Sequence, residues 1–326
     1  MSLIRVGVLR GGLGHEFEVS LKTGASVLKN LPPEKYQAKD VLITKDGIWH
    51  LEGLPVSMEK VMGNIDVAFN ALHGQFGEDG QVQNILDSAQ IPYTGSGQVA
   101  SSLGMNKELT KNLFKLNGIK TPQGVYLDKE TIDSMEVESI AYDVFRKIPP
   151  PWIIKPSNSG SSVGLFLAKT YDQLIKSIEA CFLVSDTVLV EEFIRGREAT
   201  CGVVEGLRKQ DHYPLLPIEI VKPAGADVWD YENKYSKDHE TICPGRFKQE
   251  EKDILQDLAI KAHKLLGLRH YSRSDFILSP RGIYTLETNT LPGLTEDSLV
   301  PKSLKALGVS YSEFLDHVLS LALSKK

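Results

Sequence analysis

Strands alternate with helices over about the first hundred residues, and this alternation constrains the fold more than any other feature of the chain. Each predicted strand is a short apolar run, and each predicted helix carries its apolar residues on one face. Such alternation is typical of a parallel sheet of Rossmann-like character. The predicted strands are Ile4–Leu9, Lys39–Ile43, Val67–Asn70 and Ile91–Thr94, and the predicted helices are a segment capped by Ser20 and the segment Gln81–Ala89.

The remaining segments mix strands and helices without this regular alternation. At 326 residues the chain exceeds the roughly 250–300 residues at which one hydrophobic core stops growing, so we expect two or three domains. A capping box, Ser310 to Glu313, predicts the start of the last helix. The other predicted elements are helices beginning near Asn106 and at Tyr171, the helix Gln249–Leu266, strands Trp152–Lys155, Val163–Ala168, Val188–Glu191 and Glu198–Val204, and a hairpin over Asp275–Asn289.

Composition and charge exclude several classes of function. The formal net charge is -5, and no dense run of Lys and Arg is present, so we expect no nucleic-acid partner. Cys181, Cys201 and Cys243 are far apart and odd in number, which predicts neither a zinc site nor a disulfide framework. No apolar run approaches the roughly 20 residues that cross a bilayer, and the N-terminus does not resemble a signal peptide. We therefore expect a cytoplasmic protein with no membrane partner.

The predicted hairpin carries three oxygen ligands. Folding about Arg281 sets Asp275 opposite Glu287, and alternation along a strand places Asn289 on the same face as Glu287. Hard oxygen ligands suit Mg²⁺, which takes its remaining ligands from water and nucleotide phosphates. On this segment alone, solvated charges at strand ends remain an equal alternative.

A Gly/Ser-rich loop runs from Lys155 to Gly164 between two apolar strands. Small residues let the backbone approach a ligand, and successive N–H groups in such a turn form an anion-binding nest. The chain has no GxxxxGK[ST] motif, so it is not a P-loop NTPase. A flexible polar loop is the alternative, and Lys155 at the strand end favours phosphate binding.

A second glycine pattern, Gly95–Ala100, fits the G-x-G-x-x-A pattern of dinucleotide-binding folds. It follows the fourth strand rather than the first, and no acid stands about 20 residues further on. A tight turn between strand and helix is therefore favoured. An NAD-dependent oxidoreductase remains a distant alternative that depends on this segment alone.

Together these segments resemble the D-alanine–D-alanine ligases of the ATP-grasp superfamily, nearly from end to end. The resemblance implies an α/β ATP-grasp fold with an N-terminal Rossmann-like parallel-sheet domain at 1–98, a central lobe at 99–190 and a C-terminal lobe at 191–326. The matching segments are Gly11-Gly12, Glu16–Ser20, Leu72–Gly74, Gly77–Gly80, Tyr93–Gly97, Met105–Lys107, Lys155–Gly164, Glu191–Phe193, Asp230–Tyr235, Arg273–Asp275 and Glu287–Gly293 through Ser298-Leu299.

The resemblance also implies an ATP site with magnesium. It would carry Mg²⁺ or Mn²⁺, with two ions expected, on the ligands already inferred from the hairpin. The implied nucleotide residues are Lys107, Lys155 and Ser162 for the phosphates, Glu191, Glu192 and Ile194 for adenine, Glu198 for ribose, and Asp275, Glu287 and Asn289 for the metal.

The implied reaction activates one D-alanine as an acyl phosphate and joins it to the amine of a second, yielding D-alanyl-D-alanine for peptidoglycan precursors. No covalent nucleophile is required, because positioning and charge neutralisation dominate such phosphoryl transfer. The implied substrate residues are Glu18 and His73 for the first D-alanine, Ser298 and Leu299 for the second, Arg273 and the N–H of Gly293 for the oxyanion, and Ser161, Lys234 and Tyr235 for closure of the loop Asp227–Glu240.

Lys234-Tyr235 favour an amine over a hydroxy acid as acceptor, and the family implies a homodimer. Two departures stand out. Leu13–His15 has Gly14 where the family usually has serine, and Glu296-Asp297 puts two acids near the expected acceptor carboxylate. A ligase of the same fold for D-lactate or D-serine therefore remains the nearest alternative.

Overall fold

The strands form three β-sheets within the residues that the computed structural model describes, which are 2–132, 136–157, 164–222 and 240–324. Each sheet occupies one part of the chain. Ser161, Ser162, Lys234 and Tyr235, with nearly all of the predicted loop Asp227–Glu240, lie outside the described residues. No helix of the described residues is long and apolar enough to cross a membrane.

The N-terminal sheet has the order β4-β3-β2-β1-β5, and β1 pairs in parallel with both β2 and β5. The predicted fourth strand forms only a single bridge, Tyr93 to Ala68, because Pro92 lacks an N–H and Gly95 turns the chain at a φ of 91°. The elements are β1 (Ile4–Gly11), α1 (Phe17–Asn30), β2 (Tyr36–Ile43), β3 (Trp49–Leu51), β4 (Leu54–Pro55), α2 (Met58–Met62), β5 (Val67–Asn70) and α3 (Gln81–Ser88).

Ser20 does not cap a helix, contrary to the sequence prediction. The helix begins earlier, at Phe17, so Ser20 lies inside α1. Its hydroxyl accepts a hydrogen bond from the Gly11 amide at 2.8 Å and donates one to the Ala71 carbonyl at 2.8 Å. These tertiary partners link the ends of two parallel strands, and they explain why the serine is buried rather than at a helix terminus.

The middle sheet is antiparallel, with the order β6-β9-β7-β8. Its strand β9 runs to Glu192, slightly past the predicted boundary at residue 190. The elements of this part are α4 (Gln98–Met105), α5 (Lys107–Leu116), β6 (Gly124–Asp128), α6 (Lys129–Ile132), α7 (Val137–Lys147), β7 (Trp152–Pro156), β8 (Phe166–Ala168), α8 (Tyr171–Phe182) and β9 (Thr187–Glu192).

The C-terminal sheet has the order β13-β12-β10-β14-β15, and β11 pairs with β10. The predicted hairpin is confirmed as β14–β15, and the predicted capping box at Ser310 and Glu313 is confirmed too. The elements are β10 (Arg197–Glu205), β11 (His212–Pro214), β12 (Ile218–Val221), β13 (Glu240–Ile242), α9 (Gln249–Leu265), β14 (Tyr271–Ser279), β15 (Gly282–Asn289), α10 (Leu299–Ala306) and α11 (Tyr311–Leu323).

Two hydrophobic cores cross the boundaries predicted for the domains. Phe314 and Val318 of α11 are fully buried in one cluster with Val6 and Val8 of β1. Phe114 of α5 packs with residues of α9 rather than with the middle sheet. The last helix therefore completes the N-terminal domain, and the helices that open the predicted central lobe belong to the C-terminal core.

The shared core predicts that Phe314→Ala destabilises the whole chain. The ring is fully buried and stacks edge-on against Tyr271 at 5.6 Å, so its removal leaves a cavity and should lower the free energy of unfolding by about 3–5 kcal/mol. Urea denaturation followed by circular dichroism measures this loss. Leu323→Ala on the exposed end of the same helix is the control, with a change within about 0.5 kcal/mol. Equal effects of the two changes would contradict the shared core.

Candidate active site

The hairpin β14–β15 brings the three predicted oxygen ligands together. Asp275 lies directly opposite Glu287, as predicted, with a register shift immediately after Asp275. The Asn289 amide donates to Asp275 Oδ2 at 3.1 Å, and Thr200 of the neighbouring strand donates to Asp275 Oδ1 at 2.6 Å. Two carboxylates and an amide that also carries an oxygen form a donor set that fits Mg²⁺.

Arg273 occupies the same face of the hairpin. Its guanidinium donates two hydrogen bonds of 2.9 Å, one to each oxygen of Asp275. Burial opposes the charge of Arg273, but the carboxylates of Asp275 and Glu287 outweigh it and raise the pKa of Arg273 above its ordinary value. A permanent positive charge therefore stands beside the predicted metal ligands.

Two lysines approach these carboxylates from the middle part of the chain. Lys107 opens α5, and its Nζ lies 3.8 Å from Glu287 Oε2. Lys155 is on β7, and its Nζ lies 2.8 Å from Glu191 Oε2. Burial lowers the pKa of Lys107, whereas for Lys155 the charges of Glu191 and Glu287 outweigh burial and raise the pKa. Lys107 and Lys155, the two lysines predicted to bind phosphate, thus both lie near Glu287 of the hairpin β14–β15.

Lys111 is a buried charge at this site that the sequence analysis missed. It forms an ion pair with Glu191, and its Nζ donates to the Thr121 hydroxyl at 3.0 Å. Burial lowers the pKa of Lys111 to about 8. The available signal was its spacing, because Lys107 and Lys111 are four residues apart and share one face of α5. The Glu191 carboxylate is therefore held between two lysines.

His73 connects the N-terminal domain to the end of the hairpin. Its Nδ1 lies 3.0 Å from the Leu291 carbonyl, so Nδ1–H donates there and Nε2 accepts from the Thr23 hydroxyl at 2.9 Å. Burial lowers the pKa of His73, and the negative charge of Glu16 acts against that shift. The imidazole is therefore neutral and fixed by partners from both domains.

Glu16, rather than Glu18, is the acid of the first loop that faces these groups. Its carboxylate approaches Gly74, where a Cβ would lie 2.4 Å from Glu16 Oε2, and its charge acts on the pKa values of His73 and Lys107. Glu18 is exposed. The helix begins at Phe17, and this start turns Glu16 and Glu18 in different directions.

Glu78 is a second group to which the sequence analysis gave no role. Its carboxylate accepts hydrogen bonds from the Gly74 amide at 2.8 Å, the Thr290 hydroxyl at 3.1 Å and the Leu291 amide at 2.9 Å. Burial, with repulsion from Glu16, raises the pKa of Glu78 to about 7. Glu78 therefore joins the N-terminal domain to the strand end that carries Asn289.

A cavity of about 430 Å³ opens between β10 and β12. Phe193, Ile194 and Glu198 line it, and Glu198 pairs with Lys222 of β12 at 2.7 Å. Ile194 is buried in contact with Ile277 and Tyr284 of the hairpin. Glu192 lies outside this lining, and its carboxylate accepts hydrogen bonds from Arg281 and from the Gln123 amide.

The segment after the hairpin places Gly293 and Ser298 close together. A Cβ on Gly293 would lie 3.1 Å from Ser298 Oγ. Ser298 precedes α10, and its hydroxyl is 2.8 Å from that of Thr295. Leu299 is the first residue of the helix, and a helix N-terminus favours an anion through its unpaired N–H groups and dipole. This geometry suits a carboxylate.

Comparison with known proteins gives the family of this chain. A family model described as D-ala D-ala ligase C-terminus matches residues 113–320, and one described as D-ala D-ala ligase N-terminus matches residues 54–96. A D-alanine–D-alanine ligase B of Clostridium perfringens is 36% identical over 325 residues, which is 99% of each chain. The chain belongs to the D-alanine–D-alanine ligase family. Members of this family are ATP-dependent ligases, so a nucleotide and a divalent metal ion belong to their chemistry.

Solved structures agree with this membership. The D-alanyl-alanine synthetase A of Vibrio cholerae superposes with a TM-score of 0.87 at 30% identity and covers 100% of both chains. A D-Ala:D-Ser ligase from Enterococcus faecalis superposes with a TM-score of 0.84 at 28% identity, covering 98% of this chain and 100% of that one. The expected ATP-grasp fold of the ligase is thereby confirmed.

The Gly95–Ala100 segment of the ligase is a contact between domains rather than a dinucleotide loop. The Gly95 amide donates to His270 Nδ1 at 3.1 Å, and the Gly95 carbonyl accepts from Arg269 at 2.7 Å. Both polar groups of this glycine are already used within the protein, so the segment offers them to no pyrophosphate. The alternative of an NAD-dependent oxidoreductase loses its one supporting feature.

The buried Glu78 predicts a specific pH dependence of stability. Its pKa is about 7 in the folded chain and 4.5 as the ordinary value, so between these values the folded state binds more protons than the unfolded state. Its contribution to the free energy of unfolding therefore falls as pH rises through this range, by up to about 3 kcal/mol. Urea denaturation between pH 5 and pH 8 measures it.

Glu16→Gln tests the cause of this shift. Removing the repelling charge lowers the pKa of Glu78, so the variant should gain stability relative to the wild type as pH rises toward about 7. Loss of Glu16 also lowers the pKa of His73, and this too makes the stability of the variant rise relative to the wild type as pH rises. Glu18→Gln is the matched control and should follow the wild-type curve. Parallel curves for Glu16→Gln and wild type would contradict this coupling.

The buried pair of Lys111 and Glu191 predicts a strong coupling in a double-mutant cycle. Lys111→Met leaves one oxygen of a buried carboxylate without its cation, which should lower the free energy of unfolding by about 3–5 kcal/mol. Adding Glu191→Leu removes that unpaired charge but also takes the carboxylate from Lys155. The double variant should therefore recover only part of the loss, and its loss should be smaller than the sum of the two single losses. Urea denaturation of the four proteins measures the cycle. Additive losses would show that the pair is not coupled.

Proposed function

We propose that this chain joins two D-alanine molecules into D-alanyl-D-alanine while ATP is cleaved to ADP and phosphate. One observation carries the proposal. Three groups of side chains meet at one place: Asp275 and Glu287 of the hairpin, the predicted phosphate lysines Lys107 and Lys155, and Glu16 of the N-terminal domain. Full-length similarity to D-alanine–D-alanine ligases supports the choice of substrate.

The positive groups of the site serve the phosphates of ATP. Lys107 and Lys155 are desolvated and held by carboxylates, so they contact phosphate oxygens without having to be ordered first. We propose that Asp275, Glu287 and Asn289 would hold two ions of Mg²⁺ or Mn²⁺, which would supply positive charge for the transferred phosphoryl group. Phe193, Ile194 and Glu198 line the cavity that we assign to the nucleoside.

We assign the ammonium group of the first D-alanine to Glu16 instead of Glu18. Glu16 acts electrostatically on His73 and Lys107, whereas Glu18 faces solvent. The Glu16 carboxylate holds the ammonium group, so that the carboxylate of the bound D-alanine points toward Lys107 and Lys155. An oxygen of that carboxylate then attacks the γ-phosphorus of ATP, ADP leaves, and an acyl phosphate forms. His73, neutral and bonded on both nitrogens, shapes this wall without exchanging a proton.

The second D-alanine docks its carboxylate on Ser298 and the N-terminus of α10 at Leu299. Its amine nitrogen attacks the carbonyl carbon of the acyl phosphate, the carbon–oxygen bond to phosphate breaks, and the departing phosphate takes up the proton that the nitrogen loses. Arg273 and the Gly293 N–H stabilise the oxyanion, a role in which one donor can contribute several kcal/mol. Ser161, Ser162, Lys234 and Tyr235 keep the roles implied by the resemblance.

A second candidate function differs only in the acceptor, which would be D-serine instead of D-alanine. The Enterococcus faecalis structure is that of a D-Ala:D-Ser ligase, and its fold covers nearly the whole chain. The two acids at the acceptor end do not decide against D-alanine, because Glu296 is exposed and lies 4.0 Å from Lys29 of α1. We propose D-alanine as the acceptor, acting in a cytoplasmic homodimer.

The test of the function is phosphate release from ATP with Mg²⁺ and D-alanine, with mass spectrometry of the product. D-serine and D-lactate as acceptors separate the three ligase types. A D-alanyl-D-alanine product with the highest kcat/KM for D-alanine supports the proposal. A different product as the main one, or ATP binding with no dipeptide, would overturn it.

The assignment of Glu16 is tested within the same assay. Glu16→Gln removes a charge-assisted contact to the ammonium group, so kcat/KM for D-alanine should fall roughly 10- to 100-fold with KM for ATP nearly unchanged. Glu18→Gln, the matched control two residues away, should stay within about twofold of wild type. A larger loss in the Glu18 variant would return the role to Glu18.

A further inference from the structure

A second cluster of metal-ligand side chains lies away from the active site. Glu205 Oε1 is 3.5 Å from His263 Nε2 and 3.8 Å from His212 Nε2. The three ligand atoms all lie within 4.8 Å of one another, which no other group of three His, Cys, Asp or Glu does in the described part of the chain. Glu205 ends β10, five residues beyond Thr200, which contacts Asp275. At roughly 3.3 Å per residue, about 16 Å of strand separates the two sites.

The fold holds these three side chains at fixed positions. Glu205 and His212 are directly opposite each other in the antiparallel pair β10–β11. His263 projects from α9, which packs across both strands, and its side chain is fully buried. Two ligands therefore come from a hairpin and the third from a helix that covers it. None of the three depends on a loop for its placement.

The two distances from Glu205 suit a small tetrahedral ion, and the two imidazole nitrogens lie within 4.8 Å of each other. Metal–ligand distances of about 2.0–2.1 Å at a tetrahedral centre place neighbouring ligand atoms roughly 3.3 Å apart. The observed 3.5 Å and 3.8 Å require only small side-chain adjustments. The side chains of Glu205 and His212 are 24% and 23% exposed, which leaves a solvent path to a fourth position.

Neighbouring groups hydrogen-bond the far side of two of the ligands and so orient them, as is usual around metal sites. His263 Nδ1 lies 2.8 Å from the Ser272 hydroxyl, which fixes the ring and directs Nε2 toward Glu205. Glu205 Oε2 accepts from the His270 amide at 2.6 Å, so Oε1 is the oxygen that faces the two imidazoles.

We propose that Glu205, His212 and His263 bind one Zn²⁺ ion with a fourth position open to water. Two imidazoles and one carboxylate favour this borderline ion over Mg²⁺, which prefers oxygen ligands. The ion fastens α9 to the hairpin β10–β11. The Glu205 carbonyl accepts from His317 of α11 at 2.6 Å, so the site also lies where the last helix meets the sheet. Because about 16 Å of strand separates it from Asp275, the ion takes no part in ligation.

The experiment is titration of the purified full chain with Co²⁺ and Zn²⁺ in excess Mg²⁺, which occupies the oxygen ligands of the hairpin. Co²⁺ in a tetrahedral site of mixed nitrogen and oxygen ligands gives intense visible absorption, whereas octahedral oxygen sites give weak bands. We expect one equivalent of tetrahedral Co²⁺ that Zn²⁺ displaces, and a rise of a few degrees in Tm with Zn²⁺.

His212→Ala is the test variant because its side chain is partly exposed and its loss perturbs the core least. It should weaken Zn²⁺ binding at least about 100-fold and remove the rise in Tm. His50→Ala on β3 and Cys243→Ser are matched controls that remove another imidazole and the partly buried thiol, and both should bind as the wild type does. A weak octahedral spectrum in the wild type, or equal binding by wild type and His212→Ala, would overturn the proposal.

Discussion

The antiparallel register of β14 and β15 is the constraint on which the site depends. It sets Asp275 opposite Glu287 and leaves Asn289 and Arg273 paired across the strand ends. Because side chains alternate between faces, a slip of one residue would send these groups to the opposite face of the sheet. The apolar positions of the two strands, buried in two different clusters, oppose such a slip. Core packing and ligand placement are therefore fixed by the same pairing.

Burial of the surrounding charges follows from this arrangement. Glu191 is almost completely buried, and it remains ionised because Lys111 and Lys155 flank it and outweigh the desolvation that would raise its pKa. Removing charges from water is unfavourable unless they are paired, so the lysines and the carboxylate position one another. Lys107 and Lys155 therefore stand near the hairpin as buried, paired cations. Under the proposed function, the phosphates of ATP meet lysines that are already desolvated.

Local patterns could be predicted from the sequence, and distant partners could not. The hairpin was predictable because the period of two and the turn at Arg281 fix its register over a few residues. Glu78 was not, because its partner Leu291 is 213 residues away and contributes only backbone groups, which leave no sequence signal. The choice of Glu18 came from the resemblance, which does not show local geometry. The helix begins at Phe17, so Glu18 lies exposed in its first turn while the charge of Glu16 acts on His73 and Lys107.

Thr290 and Leu291 connect the two walls of the site. Leu291 follows Asn289 by two positions, and the N-terminal domain uses both of its backbone groups: its amide donates to Glu78, and its carbonyl accepts from His73. The end of the hairpin β14–β15 therefore cannot move relative to Glu78 and His73 of the N-terminal domain without breaking buried hydrogen bonds. The charge of Glu16 acts on the pKa values of both His73 and Glu78, which are the two side chains bonded to Leu291. Under the proposed assignment of Glu16, an ammonium group bound there acts on both of the side chains that hold Leu291.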